Sequence, residues 1–287
     1  MYILLFDRAD RLGANITNYI TQILCAHKKQ YFIRFKNNDK TIYQYYGSIF
    51  IKILFDYIDH YNQELSNLYI DDENRYIIEK EGDFIPNISG SLKLIEKDAI
   101  SYFQEMIFKQ LSTEYLAMTF PEVPFDPEKT IMIHLRLDDT SNQPDYDGSI
   151  CSQYYRERIN QDKPCEFYRD RNNGQHPLSK EKIETIIAKA KEKYPDYKVV
   201  LLTSPISDTS FLDYDVIKNQ DENYDLYLLS LCKVVILSRS AFSISSLFFS
   251  DIKCKRDLYI PLWGHFVCLG LDTKYEYIDR SKITYFY

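Results

Sequence analysis

The stretch Thr130-Ile131-Met132-Ile133-His134-Leu135-Arg136-Leu137-Asp138-Asp139 passes from an unbroken apolar run straight into charge. A strand with one wet face alternates apolar and polar residues. A run that is apolar at successive positions reads as a strand buried on both faces, as in a parallel sheet. Thr130–Leu135 is such a strand, and the same signature returns at Lys198–Leu202, Val234–Leu237 and Leu258–Leu262. Between these runs the period changes to that of helices. Ser179 is placed to cap Glu181–Tyr194, whose Ile183, Ile186, Ile187 and Ala190 fall on one face; Tyr224–Cys232 and Phe242–Phe249 follow the same helical pattern. Strands alternating with helices predict an α/β fold with helices on both faces of a parallel sheet. Ligands of such sheets sit beyond the carboxyl ends of the strands, so the loops after each strand are where chemistry is sought.

Upstream, Tyr2–Phe6 and Tyr31–Phe35 read as strands, and Asn15–His27, Ile49–His60 and Ile95–Phe108 as helices. Ile16, Tyr19, Ile20 and Ile23 form the apolar face of the first. Pro121, Pro124 and Pro127, three of the ten prolines, crowd into the segment Thr119–Thr130. Proline continues neither a helix nor a central strand, so the domain boundary is predicted there, with a cleft between two α/β halves.

Composition narrows the function. With 287 residues, 27% charged and 45% hydrophobic, the chain is long and apolar enough for real cores, which excludes wholesale disorder. Its net charge of −7 argues against nucleic acid or anionic membrane as partners of its global field. Met1–Phe6 is apolar only until Asp7, too short for a signal-peptide core or a membrane span, so a soluble, cytoplasmic protein is expected. The six cysteines form no CxxC pair, which argues against structural zinc and for reduced thiols. Cys151 and Cys165 are the pair that could bridge in an oxidising setting.

Four loops carry candidate chemistry. Asp7–Ile16 joins a strand to a helix through Gly13, one of only eight glycines, with Arg8 and Arg11 beside it. Such a loop admits an anion at a helix N-terminus, or is simply a turn with Asn15 as cap; it is not a GxGxxG fingerprint. At the end of Thr130–Leu135, His134 and Arg136 point the same way. The guanidinium can fork onto phosphate oxygens, and Asp139 can hold it or act on a substrate hydroxyl. Ser238-Arg239-Ser240-Ala241-Phe242-Ser243 brings hydroxyls, amides and charge to a helix start, a phosphate cradle or a redundant serine cap. Thr203 and Ser204 follow another strand on the same side. No GxSxG elbow presents a serine nucleophile.

Taken together these motifs resemble a known family. His134-Leu135-Arg136-Leu137-Asp138-Asp139 is similar to the HxRRxD signature of the α1,2/α1,6- and protein O-fucosyltransferase superfamily. Asp225–Ser243 resembles the α1,2-fucosyltransferase pattern D-L-x-L-M-S-x-C-K, strand, N-S-S-F-S-W-W, and Leu12-Gly13-Ala14-Asn15 the G-x-L/F-G-N-Q opening with one residue inserted. The three motifs stand in the family's order. The chain departs at Leu137, where the family has a second arginine, and at Ile244 and Ser245, where it has paired tryptophans.

The resemblance implies a GT-B architecture, two Rossmann-like domains with parallel sheets facing across a cleft: residues 1–122 on the acceptor side and 123–287 holding a nucleotide sugar. It implies an inverting glycosyltransferase, a fucosyltransferase moving fucose from GDP-fucose to a glycan or glycoconjugate hydroxyl, with no metal or other cofactor. Arg136 would contact the β-phosphate with His134 beside it. Gly13, Thr203, Ser204, Arg239, Ser240, Ala241, Phe242 and Ser243 would line the donor pocket, and Asn15 would face the reacting centre. Asp138 or Asp139 would serve as base. Leu137 keeps two alternatives open: a UDP- or TDP-linked donor on the same fold, or a relative that binds glycan or nucleotide without turnover.

Overall fold

The computed structural model describes residues 2–5, 12–35, 47–68, 116, 118–120, 123–137, 177–219, 221–249, 256–261 and 283–286. The chain divides into two compact units, Met1–Thr119 and Phe120–Tyr287. The expected helix Ile95–Phe108 and the cysteines Cys151 and Cys165 lie outside the described residues.

The first unit contains β1 (Tyr2–Leu5), α1 (Leu12–Lys29), β2 (Phe32–Phe35) and α2 (Ile49–Leu68), with β1 and β2 paired in parallel. This is a βαβ unit. Helix α1 is already formed at Leu12, three residues before the position read as its cap. Leu12 is in helical phase with Ile16, Tyr19 and Ile23, and all four are buried. Gly13 therefore lies on the helix rather than in a loop, and Asn15 is a buried interior residue, not a cap. Helix α2 likewise outruns the reading that ended it at His60, because Tyr61 and Leu65 continue the buried face of Leu54, Tyr57 and Ile58.

Two side chains of α2 fasten the chain between α1 and β2. The Tyr61 hydroxyl lies 3.1 Å from the Ala26 carbonyl and 2.9 Å from that of Tyr31, spanning the turn out of α1. Asn62 donates Nδ2–H to the Ile33 carbonyl and accepts the Ile33 N–H at Oδ1, both at 2.9 Å. A side-chain amide thus pairs with the Ile33 backbone as a neighbouring strand would.

The second unit is a Rossmann-like domain. A 3-10 turn at Pro127–Lys129 leads into β3 (Thr130–His134), followed by α3 (Lys180–Lys193), β4 (Lys198–Thr203), β5 (Asp215–Lys218), α4 (Glu222–Leu231), β6 (Val234–Ile236), α5 (Ala241–Phe249), β7 (Asp257–Pro261) and β8 (Ile283–Phe286). The strands form one sheet in the order β5-β4-β3-β6-β7-β8, every neighbouring pair parallel. Strands β3, β6 and β7 are buried at every position, which is why their sequences never alternate; β5, at the edge, is half exposed. Ser179 caps α3, accepting the Lys182 N–H at 3.3 Å, and Ile183, Ile186, Ile187 and Ala190 join the core formed by Ile131, Ile133, Val199, Leu201, Val234 and Ile236. Each fully buried aliphatic side chain contributes roughly 1.5–3 kcal/mol.

The C-terminus of α4 is closed by Arg256. Its Nε–H donates to the Cys232 carbonyl and an Nη2–H to the Leu229 carbonyl, each at 2.6 Å, so a cation meets the negative end of the helix dipole. Among the described residues no helix is long and apolar enough to cross a membrane.

Candidate functional site

The strand order contains one reversal. From β3 the chain steps outward through β4 to β5, then returns to β3's other side with β6 and continues outward through β7 to β8. In open parallel sheets that reversal opens a crevice at the carboxyl ends of the two central strands, here β3 and β6. His134 is the last residue of β3, and Ser238 follows β6 by two residues. The register aligns Ile133 with Ile236, so the segments leaving the two strands emerge side by side. Two motifs about a hundred residues apart in sequence therefore meet at the switch point.

Their contact is direct. His134 Nδ1 lies 2.7 Å from Ser238 Oγ and 2.6 Å from Ser243 Oγ, and the two hydroxyl oxygens are 2.9 Å apart. The Ser238 backbone N–H donates to Ser243 Oγ at 3.3 Å. The Phe242 ring packs against the imidazole with centroids 5.2 Å apart. His134 is only 8% exposed. Burial, reinforced by the neighbouring Arg136 guanidinium, pushes its pKa down to about 3. The imidazole is therefore neutral throughout the physiological range and works as a hydrogen-bonding strut between β3 and the β6–α5 turn.

Ser240 ends that turn. Its N–H donates to the Ser238 carbonyl at 2.8 Å and its Oγ accepts the Phe242 N–H at 3.2 Å, so it caps α5. The N-terminus of α5, with its partial positive charge, opens at the carboxyl end of the sheet. Arg239 is buried to 2% exposure within the same turn, while Arg136, two residues beyond His134, is partly exposed. The arrangement can bind an anion through a guanidinium and a helix terminus, with hydroxyls close by.

On β3's other flank, β4 ends level with it. The Leu135 N–H donates to the Leu202 carbonyl at 2.8 Å, and the Thr203 hydroxyl donates to the Leu135 carbonyl at 2.8 Å. Thr203 is buried, so its hydroxyl ties the strand ends together, whereas Ser204 is partly exposed on the ligand side. Asp138 and Asp139 lie outside the described residues, and Gly13 and Asn15 belong to the first unit.

One participant was not singled out from the sequence. Ser238 was seen only as part of a serine-rich loop; its signal was position, as the residue leaving β6 where His134 leaves β3. Apart from these contacts, Asp225, in the first turn of α4, is buried and accepts from Asn219 Nδ2 at 2.7 Å. Burial raises its pKa to about 7, Asp221 and Glu222 adding to the effect against the Asn219 bond. Among the described residues no group of three or more His, Cys, Asp or Glu side chains is placed to hold a metal ion.

Fold and site together define the second unit as a Rossmann-like domain in which the segments leaving β3 and β6 meet at the switch point. No protein-family model matches the chain, and no curated protein matches it.

Proposed function

We propose that the chain is an inverting glycosyltransferase of GT-B architecture that transfers fucose from GDP-fucose to a glycan hydroxyl. One observation carries this reading: the His134–Arg136 and Ser238–Ser243 motifs, both fucosyltransferase-like in sequence, converge on one switch-point crevice through the His134–Ser238–Ser243 contacts.

In this reading Arg136 forks onto the β-phosphate and the α5 N-terminus supplies amide N–H groups to the diphosphate. The acceptor hydroxyl oxygen attacks the anomeric carbon from the face opposite the diphosphate as the bond from that carbon to the β-phosphate oxygen breaks. The acceptor proton passes to a base, for which Asp138 and Asp139 are the candidates. Charge grows on the departing GDP, and the guanidinium and amides stabilise it more than the ground state, which is the source of rate. His134, being neutral, holds the turn in place without competing for the anion's partner.

Leu137, where the family has a second arginine, favours a second reading in which the same crevice takes a UDP- or TDP-linked sugar or binds without turnover. A thermal-shift panel of GDP, UDP, TDP and ADP, with and without magnesium, separates these, because a ligand that binds only the folded state raises Tm by mass action. Stabilisation by GDP irrespective of magnesium supports the fucosyltransferase, and Arg136→Ala is then expected to reduce transfer by about 10²-fold or more. A response to UDP or TDP alone changes the donor. Silence from all four overturns the donor site.

A further inference from the structure

At the carboxyl end of β4 the chain makes the turn Ser204-Pro205-Ile206-Ser207, closed by the Ser207 N–H donating to the Ser204 carbonyl at 3.1 Å. Proline at the second position presets the turn, and Ile206 occupies the third. Among the described non-glycine residues only Gln30 has a positive φ, so this is not a type II turn, which would require positive φ at Ile206. The tip of a turn ordinarily carries Gly, Asn, Asp or Ser. Here it carries a β-branched apolar side chain that is 82% exposed.

The turn is also stapled in place. Ser207 Oγ lies 2.9 Å from both Thr203 Oγ1 and Ser204 Oγ, and the Lys218 ammonium donates to the Ser207 carbonyl at 2.5 Å. Thr203 in turn holds the Leu135 carbonyl. The chain on either side of Ile206 is thus held, and the turn is fastened through Thr203 to Leu135, the residue before Arg136. Register aligns His134 with Leu202 and the Leu135 N–H donates to the Leu202 carbonyl, so the chain leaving β4 runs beside the segment that carries Arg136. A diphosphate held at Arg136 has this rigid apolar knob within reach of whatever the phosphates carry.

We infer that Ile206 is the base-stacking residue of the site: its side chain covers one face of the nucleobase of a nucleoside diphosphate whose phosphates lie at Arg136. The inference rests on the donor-site reading above. A flat heteroaromatic face is the part of such a ligand that gains from an exposed aliphatic surface, and the preformed turn gives that contact at little conformational cost. The adjacent Ser204 hydroxyl suits the neighbouring ribose.

The test is calorimetric titration of GDP and of inorganic pyrophosphate into wild type, Ile206→Ser and Ile206→Phe. Because Ile206 is solvent-exposed, both variants are expected to retain the wild-type Tm, so binding changes are read directly. Ile206→Ser is expected to weaken GDP about tenfold, as loss of part of a buried aliphatic surface implies, and to leave pyrophosphate within about twofold. Ile206→Phe is expected to bind GDP at least as tightly as wild type. If wild type binds GDP and Ile206→Ser binds it equally well, or if both ligands weaken alike, the assignment of Ile206 falls while the donor site stands. If wild type binds neither ligand, the donor site falls and the assignment with it.

Discussion

Acidification tests the His134 strut. In the folded protein the imidazole stays neutral down to about pH 3, whereas in the unfolded chain it titrates near its ordinary 6.5. A base whose folded pKa is depressed makes the unfolded state bind more protons, so stability falls as pH drops below 6.5 and levels off only near the folded pKa. Between pH 8 and pH 5 the cost is set by the unfolded pKa alone. It amounts to about 1.5 pK units, or about 2 kcal/mol.

Among the described residues, two other groups act over the same interval. His27, packed against Tyr57 and Tyr61, is lowered to about 4 by burial despite the opposing charge of Glu64, and costs stability with the same sign. Asp225 acts oppositely. Its folded pKa of about 7 exceeds the ordinary 3.8, so its penalty is full above pH 7 and is relieved as pH falls toward 3.8. The wild-type profile is therefore a partial cancellation, and a difference between proteins is needed. Asn keeps an amide where His134 places Nδ1 and does not titrate. Urea unfolding of wild type and His134→Asn, followed by circular dichroism at pH 8 and pH 5, isolates the group, since His27 and Asp225 are common to both. The variant is expected to be less stable at pH 8 by about 1–2 kcal/mol from lost packing, and the gap to close or reverse by about 2 kcal/mol at pH 5. An identical gap at the two pH values would refute the neutral, buried imidazole and with it the serine contacts that define the crevice.

Two further substitutions probe the scaffold. Arg256→Met keeps the aliphatic stem but strands the Leu229 and Cys232 carbonyls at the end of α4, and is expected to lower stability by about 3 kcal/mol in urea unfolding. Asn62→Ala removes both bonds to Ile33 and is expected to speed hydrogen exchange at the Ile33 amide while amides of the second unit stay protected.

The central strands of the second unit were legible because β3, β4, β6 and β7 are buried, and burial on both faces writes a continuous apolar run. The half-exposed edge strand β5 was not, since Asp215-Val216-Ile217-Lys218 has two apolar residues and charged ends; its strand character comes from pairing with β4. Strand β8 is equally short and equally dependent on β7. The start of α1 was misread for a related reason. Glycine and asparagine near a helix mouth ordinarily signal loop and cap, but Leu12 packs in phase with Ile16, and burial of that face outweighs about 1 kcal/mol of glycine propensity. At the site, charge and hydroxyls were visible in sequence, whereas their convergence depends on the strand order, which no local pattern encodes.

That convergence also divides the labour within the crevice. An anion site gains from charge that does not vary with pH and from a loop that does not move when the anion arrives. A protonated histidine would supply charge but would lose it through the physiological range, and it would repel the arginine next to it. Depressing the pKa of His134 removes both difficulties: the proposed anion contact falls to Arg136, which is partly exposed, while the imidazole and two serine hydroxyls fix the turn that starts α5. This separation implies that affinity for a diphosphate follows the ligand's own ionisation rather than the protein's. If the donor site is as proposed, GDP binding measured from pH 6 to 9 should track phosphate ionisation in wild type and His134→Asn alike, because Arg136 is unchanged in both.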